Sequence, residues 1–388
     1  MPWSEVSIME QRREFVRLAS QEGANRRELC RRFGIHPSTG YKWLGRWTSE
    51  GELADRSRRP HTSPGRTERQ IEERILAVRD AHPAWGGRKI ARCLERDAVA
   101  SPAFSTVQEI LRRYNRIVPP GGPAAHLRFE REAPNSLWQM DFKGWMPLAA
   151  GGRCHPLTIV DDHSRYSVCL EACANEQSRT VQGRLELTFR RYGLPDAVFV
   201  DNGSPWGDSC GQCWTRLGVW LLKLGIAVIH SRPYHPQSRG KNERFHRTLK
   251  AEVFAFRRFR DLAEVQRALD RWRTIYNLDR PHEALGQQVP ASRYRPSPRA
   301  FPQRLPQVAY NDGEIVRRVP TSNDYVCFNG RRWKVPQAFR GEQVAIRPLT
   351  TDGRYGIFFA AHQIADIDLT TQKSVGDVPE QVSTMSPD

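Results

Sequence analysis

Residues 196–250 read DAVFVDNGSPWGDSCGQCWTRLGVWLLKLGIAVIHSRPYHPQSRGKNERFHRTLK, and two carboxylates in that stretch decide how the rest of the chain is read. Asp201 ends an apolar, β-branched run, Ala197 to Val200, and is followed at once by Asn202 and Gly203. That is the pattern of a strand running into a turn. Glu243 opens a segment with helical periodicity. A third acid, Asp141, lies upstream in Leu137-Trp138-Gln139-Met140-Asp141-Phe142-Lys143, an aromatic-rich run that is a poor place for a charge without a task. Singly, each acid has an ordinary explanation. Asp before Asn-Gly is a turn former, and Glu early in a helix favours the helix dipole. Together, two acids on strands and one on a helix can converge, and oxygen-rich sites of that kind hold Mg²⁺ or Mn²⁺. Two such ions about 3.5–4 Å apart clamp the attacking and leaving oxygens of a phosphodiester in an in-line displacement.

Between Asp141 and Asp201 lie 59 residues, and between Asp201 and Glu243 lie 41. The words around the acids are Trp-Gln-Met-Asp-Phe-Lys-Gly from Trp138, Asp-Asn-Gly-Ser from Asp201, and Tyr-His-Pro-Gln-Ser-Arg-Gly-Lys-Asn-Glu-Arg-Phe-His-Arg-Thr-Leu-Lys from Tyr234. They closely resemble the integrase-core, or DDE, transposases of bacterial insertion sequences, over roughly residues 1–300. The resemblance implies an α/β chain with a ribonuclease-H-like catalytic core and strand transfer of DNA ends. It matches Asp141, Asp201 and Glu243 to the family's three metal-binding acids, which hold two Mg²⁺ (or Mn²⁺) ions. It also implies a homo-oligomer, a dimer or larger, that synapses two ends.

Composition agrees with a polyanion partner. The chain has 388 residues, with 60 Lys and Arg against 43 Asp and Glu, a net charge of +17 and a pI near 9.9. An excess of that size points to nucleic acid. No run of 18 apolar residues is present, so no transmembrane helix is expected. Met1-Pro2-Trp3-Ser4-Glu5 does not read as a signal peptide, and a cytoplasmic, nucleoid-associated location is expected. Of eight cysteines, only Cys210 and Cys213 form a CxxC. Without a second pair at ligand spacing they read as free thiols in a reducing compartment. Retroviral integrases carry an N-terminal His/Cys zinc module, but nothing here has its spacing, so no zinc is expected.

Residues 1–50 read as a helix-turn-helix DNA-binding domain, with Leu29, Phe33, Ile35 and Leu44 at core positions and Pro37 at the first turn of its second helix. That helix would enter the major groove with Ser38, Thr39, Tyr41, Lys42 and Arg46 toward the DNA. Residues 51–66 read as a polar linker, in which Arg56, Arg58 and Arg59 suit a minor-groove arm or a plain tether. Residues 67–115 form a second helix-turn-helix-like domain, with Ser105 as an N-cap and Arg88, Lys89, Thr106, Gln108 and Arg112 facing DNA. A linker, 116–133, leads to the catalytic core, 134–278.

Within the core, Asp161 and Asp162 are rival carboxylates that a tight polar turn explains. The loop 231–240 carries Arg232 and Arg239. After it, Phe245, Leu249, Val253 and Phe256 line one helix stripe and Glu243, Arg247 and Lys250 another. Lys241 adds a further cation for DNA. Residues 231–300 carry 16 Lys and Arg against seven Asp and Glu, more than half of the chain's excess charge. Residues 279–306 read as a Pro/Arg-rich connector. Residues 307–368, with short strands and Asn-Gly and Asp-Gly turns, predict a small β-barrel similar to the C-terminal barrels of integrases. A disordered tail, 369–388, is expected beyond it.

The function these features imply is Mg²⁺-dependent nicking at the 3′ ends of an insertion sequence, followed by strand transfer into target DNA. A catalytically silent, transposase-derived DNA-binding regulator is the alternative of another class. A ribonuclease acting on RNA–DNA hybrids is disfavoured by two DNA-reading modules.

Overall fold

The computed structural model describes residues 7–55, 65–117, 130–207, 214–231, 240–255 and 257–370. Contacts divide the chain into two units, Met1–Arg66 and Thr67–Asp388. In the first, a capping box between Ser7 and Glu10 starts α1 (Ile8–Ala19), and the side chain of Asn25 caps α2 (Arg26–Arg32). Pro37 occupies the first turn of α3 (Pro37–Glu50), as expected, and Gly51 ends that helix at φ 68°. Phe15, Val16, Ala19, Cys30, Trp43 and Leu53 form the core, while Leu29, Phe33, Ile35 and Leu44 pack half-buried around it. Leu53 corrects the linker reading. It is buried, the Arg12 guanidinium donates to its carbonyl at 3.0 Å, and Arg12 also pairs with Asp55. Arg56, Arg58 and Arg59 lie outside the described residues.

Gly40 sets the crossing of α3 over α1 and α2. A Cβ there would stand 2.5 Å from Cys30 Sγ and 2.8 Å from the Phe15 ring, both in the core. Neither neighbour is a flexible surface tip, so the clash outweighs the helix-propensity gain of up to about 1 kcal/mol. Gly40→Ala is expected to destabilise this unit by about 1–2 kcal/mol, read as a lowered first transition in calorimetry.

The second unit begins with three helices, α4 (Arg69–Ala81), α5 (Gly87–Arg96) and α6 (Phe104–Arg113), around Ile75, Trp85, Ile90, Leu94, Val107 and Ile110. Ser105 is not the cap of α6. The helix starts two residues earlier than that cap would set, at Phe104, with Ala103 at the cap position and no side-chain cap bond.

The core sheet follows. Its strands are β1 (Trp138–Phe142), β2 (Met146–Pro147), β3 (Arg153–Asp161), β4 (Ser167–Cys173), β5 (Ala197–Val200) and β6 (Ala227–His230). Interspersed or following are α7 (Ser178–Tyr192), α8 (Arg216–Lys223), α9 (Gly240–Leu249), a π-helical turn (Lys250–Phe254) and α10 (Leu262–Leu278). The order is β4-β3-β1-β5-β6, with β4, β3 and β1 antiparallel and β1, β5 and β6 parallel. This is the ribonuclease-H-like arrangement. β2 resumes the ladder of β1 along β3. Helices α7 and α8 bury Val181, Leu185, Phe189, Leu217 and Trp220 against one cluster. Helices α9 and α10 bury Phe245, Leu249, Val265, Leu269 and Trp272 in another. Residues 280–301 do more than connect. Tyr294 stacks on Tyr166 at 4.3 Å, and Arg299 donates to the carbonyls of Pro195, Leu224 and Gly225.

The C-terminal region corrects an expectation. It contains β7 (Ile315–Arg318), β8 (Tyr325–Phe328), β9 (Arg331–Lys334), β10 (Gln343–Pro348), β11 (Arg354–Phe359) and β12 (His362–Asp368). Asn329 and Gly330 make the expected hairpin turn with positive φ. The strands form an open sheet, β12-β11-β10-β7, and a separate β8-β9 hairpin, not a closed barrel. The physical reason is α8. Its Val219 and Leu222 join Phe339, Val344, Ile346 and Phe359 in one apolar cluster, with Trp214 packed against it. Lys223 pairs with Glu342 at 2.9 Å beside it. A sheet whose apolar surface is covered by a helix has no need to close on itself.

Candidate catalytic site

The parallel register Trp138↔Val198 and Gln139↔Phe199, continued two residues, brings Asp141 and Asp201 to the same end of neighbouring strands. Asp201 directly follows β5 and accepts from Gly203 N at 3.1 Å, closing its turn. The carbonyl of Asp201 lies 3.1 Å from His230 Nδ1, and Asn202 donates to the Ser231 carbonyl, so the turn is pinned to the end of β6. Trp206 inserts into the core cluster and packs near Phe142, the residue after Asp141. Both acids are half-buried.

Helix α9 packs against β1 at the same place. Buried Thr158 donates its hydroxyl to the Asp141 carbonyl at 2.8 Å and lies 2.8 Å from His246 Nε2. With its only proton so used, Thr158 accepts from Nε2–H. Nε2 therefore carries a proton, and Nδ1 lies 4.0 Å from Asp141 Oδ2. Burial, aided by the Lys143 charge, pushes this imidazole down to about 4. Sequence reading missed His246. The signal was its place three residues after Glu243, which puts both on one side of a helix.

The first turn of α9 is tethered from below. Asp161 and Asp162 are fully buried, not a solvated turn. Asp161 accepts from Asn135 N and from Ser164 N and Oγ. Asp162 accepts from Arg131 N at 2.8 Å and Gln139 Nε2 at 2.7 Å, and it pairs with Lys241 at 2.5 Å. Lys241 thus anchors a helix instead of offering itself to DNA.

Glu243, two residues on, is exposed, as are Arg247 and Lys250 on the same stripe. Phe245, Leu249 and Val253 face inward as the periodicity requires, and Phe256 lies outside the described residues. The structure therefore places Asp141 and Asp201 together and α9 beside them. Among the described residues, however, no three His, Cys, Asp or Glu side chains lie close enough to hold one ion. Around this mouth, burial and the Lys250 charge push Lys143 down. Arg232, Arg239, Cys210 and Cys213 lie outside the described residues.

The DNA-facing candidates divide. On α3, Ser38, Tyr41 and Lys42 are exposed and Thr39 is half-buried. Arg46 turns back, donating to the Ala54 carbonyl at 2.7 Å with its guanidinium over Trp43. In the second module Arg112 is exposed beside Glu109, and Thr106 is half-buried. Gln108 accepts from Gly87 N inside the α5–α6 contact. Arg88 pairs with Glu283, and Lys89 donates to the Pro281 carbonyl at 2.8 Å, so this edge of α5 docks on the segment that follows α10. Burial and Arg280 push Lys89 down to about 8. A lysine depressed in the fold binds fewer protons there than in the unfolded chain between about pH 8 and 10.4, so stability gains with pH across that window. Lys89→Met is expected to flatten that rise in urea melts taken between about pH 7 and 10.5. An unchanged slope would show the ammonium to be solvated.

Comparison with known proteins follows the same outline. The integrase core domain family matches residues 131–236 and 224–290, and the IS481 family transposase C-terminal domain matches 314–375. A helix-turn-helix domain matches 11–61 and a homeodomain-like domain 39–111. An insertion element IS476 protein of 39.2 kDa from Xanthomonas euvesicatoria is 31% identical over 158 residues, 41% of this chain and 44% of its own. An insertion element IS407 protein of 31.7 kDa from Burkholderia multivorans is 28% identical over 159 residues, 41% and 55% respectively. The chain thus carries an integrase core domain and a C-terminal domain of the IS481 transposase family, and it is similar to proteins of bacterial insertion elements. The chain spans about half the length of each of those relatives. A chain of the simian T-cell lymphotropic virus intasome, in complex with a PP2A regulatory subunit, aligns at 18% identity and a TM-score of 0.36, over 78% of this chain and 99% of its own. The HTLV-2 integrase catalytic core domain in complex with magnesium aligns at 15% identity and a TM-score of 0.32, over 42% and 99%.

Proposed function

We propose that the chain is a DNA transposase that binds the duplex ends of an insertion sequence, nicks them to free a 3′-hydroxyl, and joins that hydroxyl to target DNA. The observation that supports this best is the pair Asp141 and Asp201 at one end of neighbouring parallel strands, with α9, the helix that carries Glu243, packed against β1 through His246. The donors are all carboxylate oxygens, half-buried or exposed at an open mouth, and such a set fits a hard divalent cation. Two Mg²⁺ (or Mn²⁺) ions held by Asp141, Asp201 and Glu243 would supply Lewis-acid activation of the attacking and leaving oxygens.

The other residues bind and orient. Arg247 and Lys250, exposed on the Glu243 stripe, and Lys143 beside Lys250 hold phosphate charge. Ser38, Tyr41, Lys42 and Arg112 contact the end duplex. The strained-free turn at Asn202 and Gly203 fixes where Asp201 points. Direct phosphodiester transfer needs no covalent protein–DNA intermediate, so no Ser or Tyr nucleophile is assigned. A homo-oligomer, dimer or larger, would bring two ends together. No described helix is long and apolar enough to cross a membrane, and action on chromosomal DNA in the cytoplasm fits this reading.

The test is nicking of an oligonucleotide duplex bearing the element end, with and without Mg²⁺. Cleavage that appears with Mg²⁺ and vanishes with chelator is the expected result. One observation favours the silent-regulator reading, namely that the described acids do not form a three-ligand cage. End binding with no nicking at any Mg²⁺ concentration would establish that reading in place of the enzyme.

A further inference from the structure

Beyond Asp141 the ladder along β3 breaks at Gly144, where φ is 84°, and resumes in β2. The residue presented between is Trp145. It is 55% exposed and belongs to none of the apolar clusters. A large indole left in water beside a site is informative in a way that an exposed Leu is not. Arg153, at the start of β3, holds its guanidinium 4.1 Å from the centroid of the indole. One ring face is thereby covered by a cation, and more than half of the residue's surface remains exposed. Among the described residues no salt bridge pairs Arg153, Lys143 or Lys250 with a carboxylate, so the cation on the ring and the two lysines near Asp141 have no direct acidic partner. Four residues of chain at no more than about 3.3–3.6 Å each keep Trp145 within roughly 14 Å of Asp141. That is about four nucleotides along one strand of a duplex, at ~3.4 Å each.

We propose that Trp145, backed by Arg153, is a stacking platform for one unpaired base of the DNA end held at the catalytic acids; this rests on the function proposed above. The chemistry of the surface selects the ligand. An aromatic face accepts the π-face of any base, and the cations beside it hold the flanking phosphates. A base taken out of the duplex loses its neighbours, and stacking on the indole offsets that loss. The apolar ring alone would suit a protein partner, but a ring set among unpaired cations suits a polyanion that carries bases.

The experiment uses the full-length protein with end duplexes carrying 5-iodouracil at single positions around the nick, crosslinked by light and mapped by mass spectrometry. The expected result is a crosslink to Trp145 from a position within about four nucleotides of the nick. Trp145→Ala is expected to lose that crosslink and to slow nicking of the fully paired duplex roughly 5- to 150-fold. Trp145→Phe should restore most of the rate, and the Ala defect should shrink on a duplex mismatched at the end. A paired duplex nicked equally fast by Trp145→Ala and the unaltered protein, with no crosslink at Trp145, overturns the platform. Glu243→Gln separates the two ideas. It should abolish nicking of every duplex yet keep the crosslink, so normal nicking by Glu243→Gln would count against the catalytic assignment and not against the platform.

Discussion

Glu243→Gln and Asp141→Asn are each expected to reduce Mg²⁺-dependent nicking by about 10³-fold while leaving end binding within about twofold. A carboxylate that holds a catalytic ion contributes several kcal/mol to transition-state charge stabilisation, and each 1.36 kcal/mol is about tenfold in rate. The folded state should hardly notice either change. Glu243 is exposed, and Gln preserves its length on the first turn of α9. Thr158 bonds the backbone carbonyl of Asp141, a contact that Asn retains. Equal melting temperatures with a lost rate would therefore place the effect on chemistry. If Glu243→Gln nicks at the unaltered rate under saturating Mg²⁺, the carboxylate assignment on α9 is wrong.

Asp162→Ala is expected to cost about 3–5 kcal/mol of stability, read by urea unfolding, the scale for breaking one side of a buried ion pair. Asp162 is 1% exposed and receives Lys241, Gln139 and the Arg131 amide at once. Its removal takes the carboxylate away from an ammonium that is mostly withdrawn from water. Lys241→Met should cost less, because Asp162 keeps two other donors. Since Lys241 sits two residues before Glu243, the Ala variant should also lower the nicking rate of whatever protein remains folded. A stability loss under about 1 kcal/mol would mean that the pair is solvated and the tether is unimportant.

The sequence made the architecture of the core legible because the signals there are local. Ala197 to Val200 ahead of Asn-Gly can scarcely be anything but a strand and turn, and the stripe Phe245, Leu249 and Val253 states which side of α9 faces inward. What stayed hidden depends on chain distant in sequence. Asp161-Asp162-His163-Ser164 has the composition of a surface turn. It is buried because residues 130–135 and Gln139 fold over it, 23 to 31 residues away along the bonds that Gln139 and Arg131 make to Asp162. Lys89 looked like a DNA contact because a lysine at the start of a helix usually is solvated, yet the Pro281 carbonyl lies 192 residues further on. Alternating apolar residues in the C-terminal region foretold strands correctly. Alternation reports only that one side of a sheet is covered, and it is silent about whether another sheet or a helix does the covering.

Helix α8 draws two hydrophobic cores into a single body. Leu217, Trp220 and Leu221 serve the catalytic sheet while Val219 and Leu222 serve the C-terminal strands. A fragment trimmed after about residue 306 would strip the second set of its cover, leaving greasy side chains in water on a helix only eight residues long. Gene rearrangements that exchange such tails are consequently constrained: a replacement tail must bring its own apolar lid for this helix, or the integrase core domain it joins will not remain in solution.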